Sequence, residues 1–141
     1  METPPNKPLH GSRILVVEDE PLLAFDILKT LRAAGAETVG PALSLARAIE
    51  LATTAHADCA ILDVMLRDGT VFPAARLLRS QGSGFVFYSG IFDIGVLKRS
   101  WPGARVLLKP APPELLVQAV RAACGLGASK NHTEHIQIRE P

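Results

Sequence analysis

The sequence has almost no excess charge of either sign, because 15 Lys and Arg residues stand against 14 Asp and Glu residues. These charges are scattered along the chain, so no basic surface is expected to neutralise nucleic-acid phosphates, and a polybasic nucleic-acid binder is excluded. The apolar runs are short, for example 14–17, whereas about 20 apolar residues are needed to cross a bilayer. We therefore expect no binding to nucleic acid or to membranes.

Cysteine is also scarce, with only Cys59 and Cys124 in 141 residues. The N-terminus lacks the apolar core of a signal peptide, which predicts a cytoplasmic protein whose thiols stay reduced. Two separate buried or half-buried thiols are therefore expected rather than a redox pair. At 15.1 kDa the chain has the size of one domain that needs no disulfide or metal to be stable.

What the sequence does have is a regular alternation of short apolar runs and longer amphipathic stretches. The apolar runs predict five strands, with the second the weakest: 13–17, 37–39, 59–62, 85–88 and 105–108. Their nearly continuous apolar character is typical of a parallel sheet that is covered on both faces. The sequence therefore predicts a doubly wound α/β fold with a five-stranded parallel sheet.

The stretches between the strands predict five helices. Pro21 and Pro113 stand at first helical positions, Ser44 can cap the second helix, and Pro73 opens the third or lies early in it. The fourth helix, within 92–100, is the least regular. The chain divides into a flexible segment 1–11, a domain 12–124 and a tail 125–141 that is expected to be disordered.

Reactive side chains follow four of the five predicted strands. Glu18 to Glu20 follow the first, Asp63 the third, Ser89 the fourth and Lys109 the fifth, whereas Gly40-Pro41 ends the second with nothing reactive. Because the carboxyl ends of parallel strands meet at one edge of the sheet, these side chains are expected to converge.

Crowded carboxylates repel one another, and a hard divalent cation with oxygen ligands, such as Mg²⁺, relieves that repulsion. Asp63 is then the candidate nucleophile toward a phosphorus atom. Lys109 is the candidate second cation, and Ser89 is a hydroxyl donor for the transferred group.

In these residues the sequence resembles the receiver domains of bacterial two-component response regulators, over about 12–124. The resemblance rests on four motifs in order: the strand and acidic residues of 14–20, the segment 61–66 with Gly69, Ser89 at the switch position, and Lys109-Pro110. It implies a flavodoxin-like strand order 2-1-3-4-5 and a cis bond before Pro110.

The resemblance also implies the role of each site residue. Magnesium would be held by Glu18, Asp19, Asp63 and the backbone carbonyl of Met65, and Lys109 would contact the phosphoryl oxygens. Asp63 would accept phosphate from a histidine kinase or a histidine phosphotransfer protein, and the domain would signal by protein contact or by returning the phosphate. It would not be an enzyme beyond phosphotransfer to its own Asp63 and slow self-dephosphorylation, and a phosphorylation-dependent dimer stays open.

The sequence departs from the family pattern at two places. Val106 stands where many receivers have a Tyr or Phe that moves with the switch hydroxyl, and Ala111 follows Lys109-Pro110 in place of Phe. The segment 87–90 looks more like the Phe-x-Thr-Gly pattern of stand-alone receivers associated with stress and phosphorelay signalling in alphaproteobacteria. With about 17 residues after the fifth helix, the chain is expected to act as a stand-alone receiver, although a fragment of a hybrid kinase would look the same.

The rival interpretation is a magnesium-dependent aspartyl phosphatase of the haloacid dehalogenase type. Such enzymes need a second acid two residues after the nucleophile, where this chain has Met65. A third interpretation is a pseudo-receiver that binds a partner without accepting phosphate. The intact Asp19, Asp63 and Lys109 argue against it. His132 and His135 are interpreted as polar tail residues, because no third metal ligand is in view, and Trp101 as a loop-packing residue.

Overall fold

The computed structural model describes residues 7–125 and 136–137. Its eight strands are β1 (Arg13–Val17), β2 (Glu37–Ala42), β3 (Cys59–Asp63), β4 (Met65–Leu66), β5 (Gly69–Thr70), β6 (Gly84–Ser89), β7 (Val106–Leu108) and β8 (Ile136–Gln137). Six of them form a parallel sheet in the order β2-β1-β3-β6-β7-β8. When the five principal strands are numbered consecutively, this is the order 2-1-3-4-5, so the expected fold is confirmed.

In the part of the chain that the structure describes, five helices cover the two faces of the sheet, as predicted. They are α1 (Pro21–Ala33), α2 (Leu45–Thr54), α3 (Phe72–Ser80), α4 (Ile94–Ser100) and α5 (Pro113–Ala123). The apolar run of β1 is continuous because both faces of this strand are buried. Ile14 and Val16 pack on the side of α1 and α5, and Leu15 and Val17 pack on the opposite side, with α2 and α3. No helix within the described residues is long and apolar enough to cross a membrane.

The helix starts follow from local hydrogen bonds. Ser44 caps α2, as predicted, by accepting a hydrogen bond from the backbone N–H of Arg47 at 3.2 Å. Glu20 caps α1 in the same way through the N–H of Leu22. The irregular fourth helix is resolved into a 3₁₀ turn over Ile91–Asp93 followed by α4.

The predicted end of the second strand is wrong. β2 continues through Gly40 and Pro41 to Ala42, and Gly40 has φ of +105°. A Cβ atom at Gly40 would lie 2.8 Å from the carbonyl oxygen of Val16, so only glycine fits this close approach of the two strands.

A short hairpin follows Asp63 that the sequence reasoning missed. β4 and β5 pair antiparallel, with Arg67 and Asp68 at the turn. The Asp68 carboxylate accepts hydrogen bonds from the N–H groups of Leu45 at 2.7 Å and Ala46 at 3.1 Å, and these bonds lower the pKa of Asp68. The hairpin is therefore tied to the first turn of α2.

The described parts of both terminal segments contact the domain, and the expected division at residues 12 and 124 stays a prediction. Leu9, in the segment expected to be flexible, is fully buried, and its N–H donates to the carbonyl of Ala34 at 2.8 Å. In the tail expected to be disordered, Ile136–Gln137 pairs with β7 at the sheet edge. The remaining tail, with His132 and His135, lies outside the described residues.

The cysteine expectation is also wrong in this structure. Cys59, at the start of β3, and Cys124, at the end of α5, form a disulfide with a Cα–Cα distance of 5.3 Å. The sequence did not indicate this pair, because the two cysteines are 65 residues apart and only the packing of α5 on the sheet brings them together. Trp101 is a packing residue as interpreted: it is buried against Phe85 and Phe87, with the Arg79 guanidinium 4.5 Å from its ring centroid.

Candidate functional site

Three carboxylates meet where two neighbouring strands end. Glu18 and Asp19 follow β1, and Asp63 is the last residue of β3, which pairs in parallel with β1. One carboxylate oxygen from each residue lies within 4.8 Å of the others. Glu18 is 2% exposed and Asp63 is buried, whereas Asp19 is partly exposed. The predicted convergence of these acids is therefore confirmed.

Lys109 reaches this cluster from the end of β7, across the end of β6. Its Nζ atom lies 2.9 Å from Oε1 of Glu18 and 3.2 Å from Oδ1 of Asp63. Its backbone N–H donates to the carbonyl of Ser89 at 2.8 Å, which fixes the residue against β6. One ammonium group thus contacts two of the three carboxylates.

Tyr88 supports the lysine loop, a role that sequence reasoning missed. The Tyr88 hydroxyl accepts a hydrogen bond from the N–H of Ala111 at 3.1 Å, and the Nζ atom of Lys109 lies 5.5 Å from the ring centroid. The Lys109–Pro110 peptide bond is cis, as the resemblance implied. Only the register of β6 beside β7 could have revealed the contact, because Tyr88 reads as an ordinary strand residue.

The environment makes Asp63 an unusual carboxyl group. Burial, and next the negative charge of Glu18, raise the pKa of Asp63 to about 7, against the lowering effect of Lys109. Burial alone would lower the pKa of Lys109, but the hydrogen bond to Glu18 and the charges of Asp63 and Glu18 outweigh it and raise that pKa. Lys109 is therefore a stable cation, whereas its charge does not offset the effects of burial and of Glu18 on the pKa of Asp63.

This donor set fits a hard divalent cation. Carboxylate oxygens of three residues lie close together, and a bound cation would relieve their mutual repulsion. It would also stabilise the ionised form of Asp63, whose pKa is raised first by burial and next by the charge of Glu18. Glu18 is already engaged, because Oε1 pairs with Lys109 and Oε2 accepts from the N–H of Glu20 at 3.1 Å. The carboxylates of Asp19 and Asp63 are thus the better placed ligands.

Ser89 ends β6 beside this cluster. It follows Tyr88, the residue that pairs with Asp63 in the β3–β6 register, and it is fully buried. Its hydroxyl lies 3.1 Å from the carbonyl oxygen of Gly90 and 3.2 Å from Oδ2 of Asp93. The contact with Asp93 was missed because the fourth helix was poorly defined in the sequence.

Met65 and Arg67 lie in the hairpin that follows Asp63. Met65 begins β4 with its side chain 53% exposed, and the role of its backbone carbonyl as a metal ligand stays a prediction. Arg67, in the hairpin turn, donates to the carbonyl oxygen of Asp19 at 3.3 Å. Val106 is buried in β7, at the position where many receivers have an aromatic ring.

The fold and the site define a flavodoxin-like α/β domain with an acidic cluster and a lysine at the carboxyl ends of its strands. No model of a known protein family matches the chain. The transcriptional regulatory protein PdtaR of Mycobacterium tuberculosis (strain ATCC 25618 / H37Rv) is 42% identical over an alignment of 115 residues, and this alignment covers 79% of this chain and 56% of that protein. The chain thus spans about half the length of the curated relatives it matches.

Solved structures agree with this result. A response regulator receiver protein from Sinorhizobium medicae WSM419 is 26% identical with a TM-score of 0.72, over 81% of this chain and 94% of that chain. The response regulator PhyR from Brucella abortus supports the fold alone, with 24% identity and a TM-score of 0.73 over 85% of this chain and 51% of its own. The chain belongs to the receiver domains of response regulators.

Proposed function

We propose that this receiver domain is phosphorylated on Asp63 by a histidine kinase or a histidine phosphotransfer protein. The observation that carries the proposal is the contact of Lys109 Nζ with both Glu18 and Asp63, inside a cluster of oxygen ligands. A phosphoryl group on Asp63 would therefore arrive beside a fixed ammonium group, which can stabilise its equatorial oxygens.

The transfer step uses the ionised form of Asp63. A carboxylate oxygen attacks the phosphorus atom of a phosphohistidine, the new P–O bond forms, and the P–N bond breaks with its electron pair left on the imidazole nitrogen. Lys109 holds the nucleophile in place through its contact with Oδ1 and remains protonated throughout. Ser89 supplies a hydroxyl donor for the transferred group.

Asp19 and Asp63 would hold Mg²⁺, with Glu18 beside them and the backbone carbonyl of Met65 as a further ligand. When bound, Mg²⁺ supplies positive charge that balances the carboxylates and the incoming phosphoryl oxygens. The oxygen-only donor set and the raised pKa of Asp63 support this choice of cation.

The phosphorylated domain would signal by protein contact or by returning its phosphate, in the cytoplasm, and a phosphorylation-dependent dimer is one form such a contact can take. It would turn over no substrate of its own apart from slow loss of its phosphate. The haloacid dehalogenase alternative lacks support, because the exposed side chain two residues after Asp63 is Met65, which cannot transfer a proton.

Incubation with Mg²⁺ and acetyl phosphate, followed by intact mass measurement, tests the proposal. We expect one stable phosphoryl adduct on the parent and none on Asp63→Asn. Asp26→Asn is the matched control, because Asp26 is an exposed α1 residue that loses the same charge. Release of phosphate by steady turnover would indicate a phosphatase, and no adduct would indicate a pseudo-receiver.

A further inference from the structure

The backbone of Ser89 is fixed in the sheet, and only its side-chain hydroxyl can change position. The residue is fully buried at the end of β6, where it pairs with Leu108 of β7, and its carbonyl accepts from the N–H of Lys109 at 2.8 Å. The backbone is therefore held by the sheet, and the hydroxyl can change partner only by rotation of the side chain.

Asp93 is one of the two acceptors within reach of that hydroxyl. Its Oδ2 atom lies 3.2 Å from the Ser89 oxygen, and the carbonyl oxygen of Gly90 lies at 3.1 Å. A hydroxyl has one proton, and a carboxylate is a stronger acceptor than a neutral carbonyl. Asp93 stands at the N-cap position of α4 but its side chain caps nothing there, so its carboxylate is available to Ser89.

We propose that Asp93 is a positioning residue that holds the Ser89 hydroxyl away from Asp63 until Asp63 is phosphorylated. The inference rests on the proposed function. An aspartyl phosphate presents new anionic oxygens beside the end of β6, and the Ser89 proton can be donated to one of them only when the bond to Asp93 breaks. Phosphorylation therefore exchanges one charge-assisted hydrogen bond for another.

The exchange has a consequence for the surface of the domain. Asp93 is the last residue of the 3₁₀ turn that also carries Ile91, 55% exposed, and Phe92, 96% exposed. While Ser89 donates to Asp93, the end of this turn is tied to the buried sheet. When Ser89 no longer donates to Asp93, this link between the turn and the sheet is lost. The loss couples the phosphorylation site to the turn without the aromatic ring that many receivers have at the position of Val106.

Coupling between two interactions is reciprocal. If phosphorylation weakens the hydrogen bond between Ser89 and Asp93 by some factor, that hydrogen bond must weaken the binding of a phosphoryl group by the same factor. Loss of the Asp93 carboxylate should therefore strengthen the binding of a phosphoryl mimic. The gain should require Ser89, since the carboxylate acts through that hydroxyl.

The test measures binding of beryllofluoride, in the presence of Mg²⁺, to the parent, Asp93→Ala, Ser89→Ala and the double variant. We expect Asp93→Ala to bind about fivefold more tightly than the parent, which corresponds to about 1 kcal/mol, the net contribution of one typical hydrogen bond. In the Ser89→Ala background the same change should have no effect. Asp93→Asn, which keeps the shape but not the charge, should give an intermediate gain, and thermal unfolding verifies that each variant is folded.

Asp26→Ala controls for the loss of one negative charge at a distance and should leave the affinity unchanged. A gain of the same size with and without Ser89 would overturn the inference, because it would reflect general charge repulsion of the anion. Unchanged affinity in Asp93→Ala, with normal binding by the parent, would overturn the inference and leave the proposed function intact. Failure of the parent to bind the mimic would contradict the proposed function itself and this inference with it.

Discussion

The Nζ atom of Lys109 lies 2.9 Å from Oε1 of Glu18, a carboxylate that is almost fully buried. The two residues are 91 positions apart in the chain and meet only because β1 and β7 end at the same edge of the sheet. The same ammonium group also lies 3.2 Å from Oδ1 of Asp63. Among the described residues Lys109 thus pairs with Glu18 and Asp63 but not with Asp19, so the charge of Asp19 is the least compensated of the three.

This difference predicts the effects of removing single charges on Mg²⁺ affinity. Asp19→Asn should weaken Mg²⁺ binding by about tenfold or more, because it removes the charge of a ligand to a hard cation. Glu18→Gln should weaken binding less and should also destabilise the fold by about 2 kcal/mol, since a buried charge-assisted bond to Lys109 is lost. Titration with Mg²⁺ and urea unfolding measure both effects, and equal affinity of Asp19→Asn and the parent would exclude Asp19 as a ligand.

Mg²⁺ binding should depend on pH through Asp63. With its pKa raised to about 7, Asp63 is protonated below that pH and ionised above it. Mg²⁺ competes with the proton, so affinity should rise between about pH 6 and pH 8 and then level off. Asp63→Asn should bind weakly with little pH dependence in this window. An affinity of the parent that is constant from pH 6 to pH 8 would contradict the assigned environment of Asp63.

The same raised pKa affects stability with a defined sign. The folded state holds the Asp63 proton more tightly than the unfolded state, whose carboxyl has an ordinary pKa of 3.8. The contribution of this group to the free energy of unfolding therefore falls as the pH rises from about 3.8 to about 7, and it is level above that range. Asp63→Asn should raise the free energy of unfolding at pH 8 by about 1 to 3 kcal/mol, an order of magnitude set by the pKa shift, with a smaller difference at pH 5. Equal stability of the two proteins at pH 8 would contradict this account.

The disulfide between Cys59 and Cys124 should stabilise the domain. It closes a loop with a sequence separation of 65 residues, and restricting the unfolded chain over that length contributes about 4 kcal/mol. The urea midpoint should fall when the parent is reduced and should not respond to reductant in Cys124→Ser. Two alkylatable thiols in the unreduced parent, with the same midpoint as the reduced form, would show that the pair is not joined.

The phosphorylated form should be long lived. The residues two positions beyond Asp63 and Ser89 are Met65 and Ile91, and neither apolar side chain can orient or deprotonate an attacking water molecule. Met65→Asn and Ile91→Glu, singly and together, should accelerate loss of the phosphate at fixed Mg²⁺. If the parent already loses phosphate as fast as these variants, the two side chains do not control its lifetime.

The parallel sheet and the convergence of the site residues were predictable, because apolar runs mark the strands of a buried parallel sheet and reactive residues follow their ends. The strand order came from the family resemblance, since apolar runs do not determine it. The pairing of Glu18 with Lys109 could not be predicted, since each residue was assigned to the site from its own motif alone. The hairpin after Asp63 was not predicted because β4 and β5 have two residues each, which are too few to show a periodic pattern. The contact of Ser89 with Asp93 depends on a 3₁₀ turn that hydrophobic periodicity does not indicate.

The central claim is that Asp63 accepts the phosphoryl group, and chemical mapping of the adduct tests it most directly. Borohydride reduces an aspartyl phosphate to homoserine, so the phosphorylated parent, after reduction and proteolysis, should contain homoserine at position 63 and an unmodified Asp19. Unphosphorylated protein treated in parallel should keep Asp63. Homoserine at another aspartate, or a phosphoryl group that survives borohydride, would contradict the account.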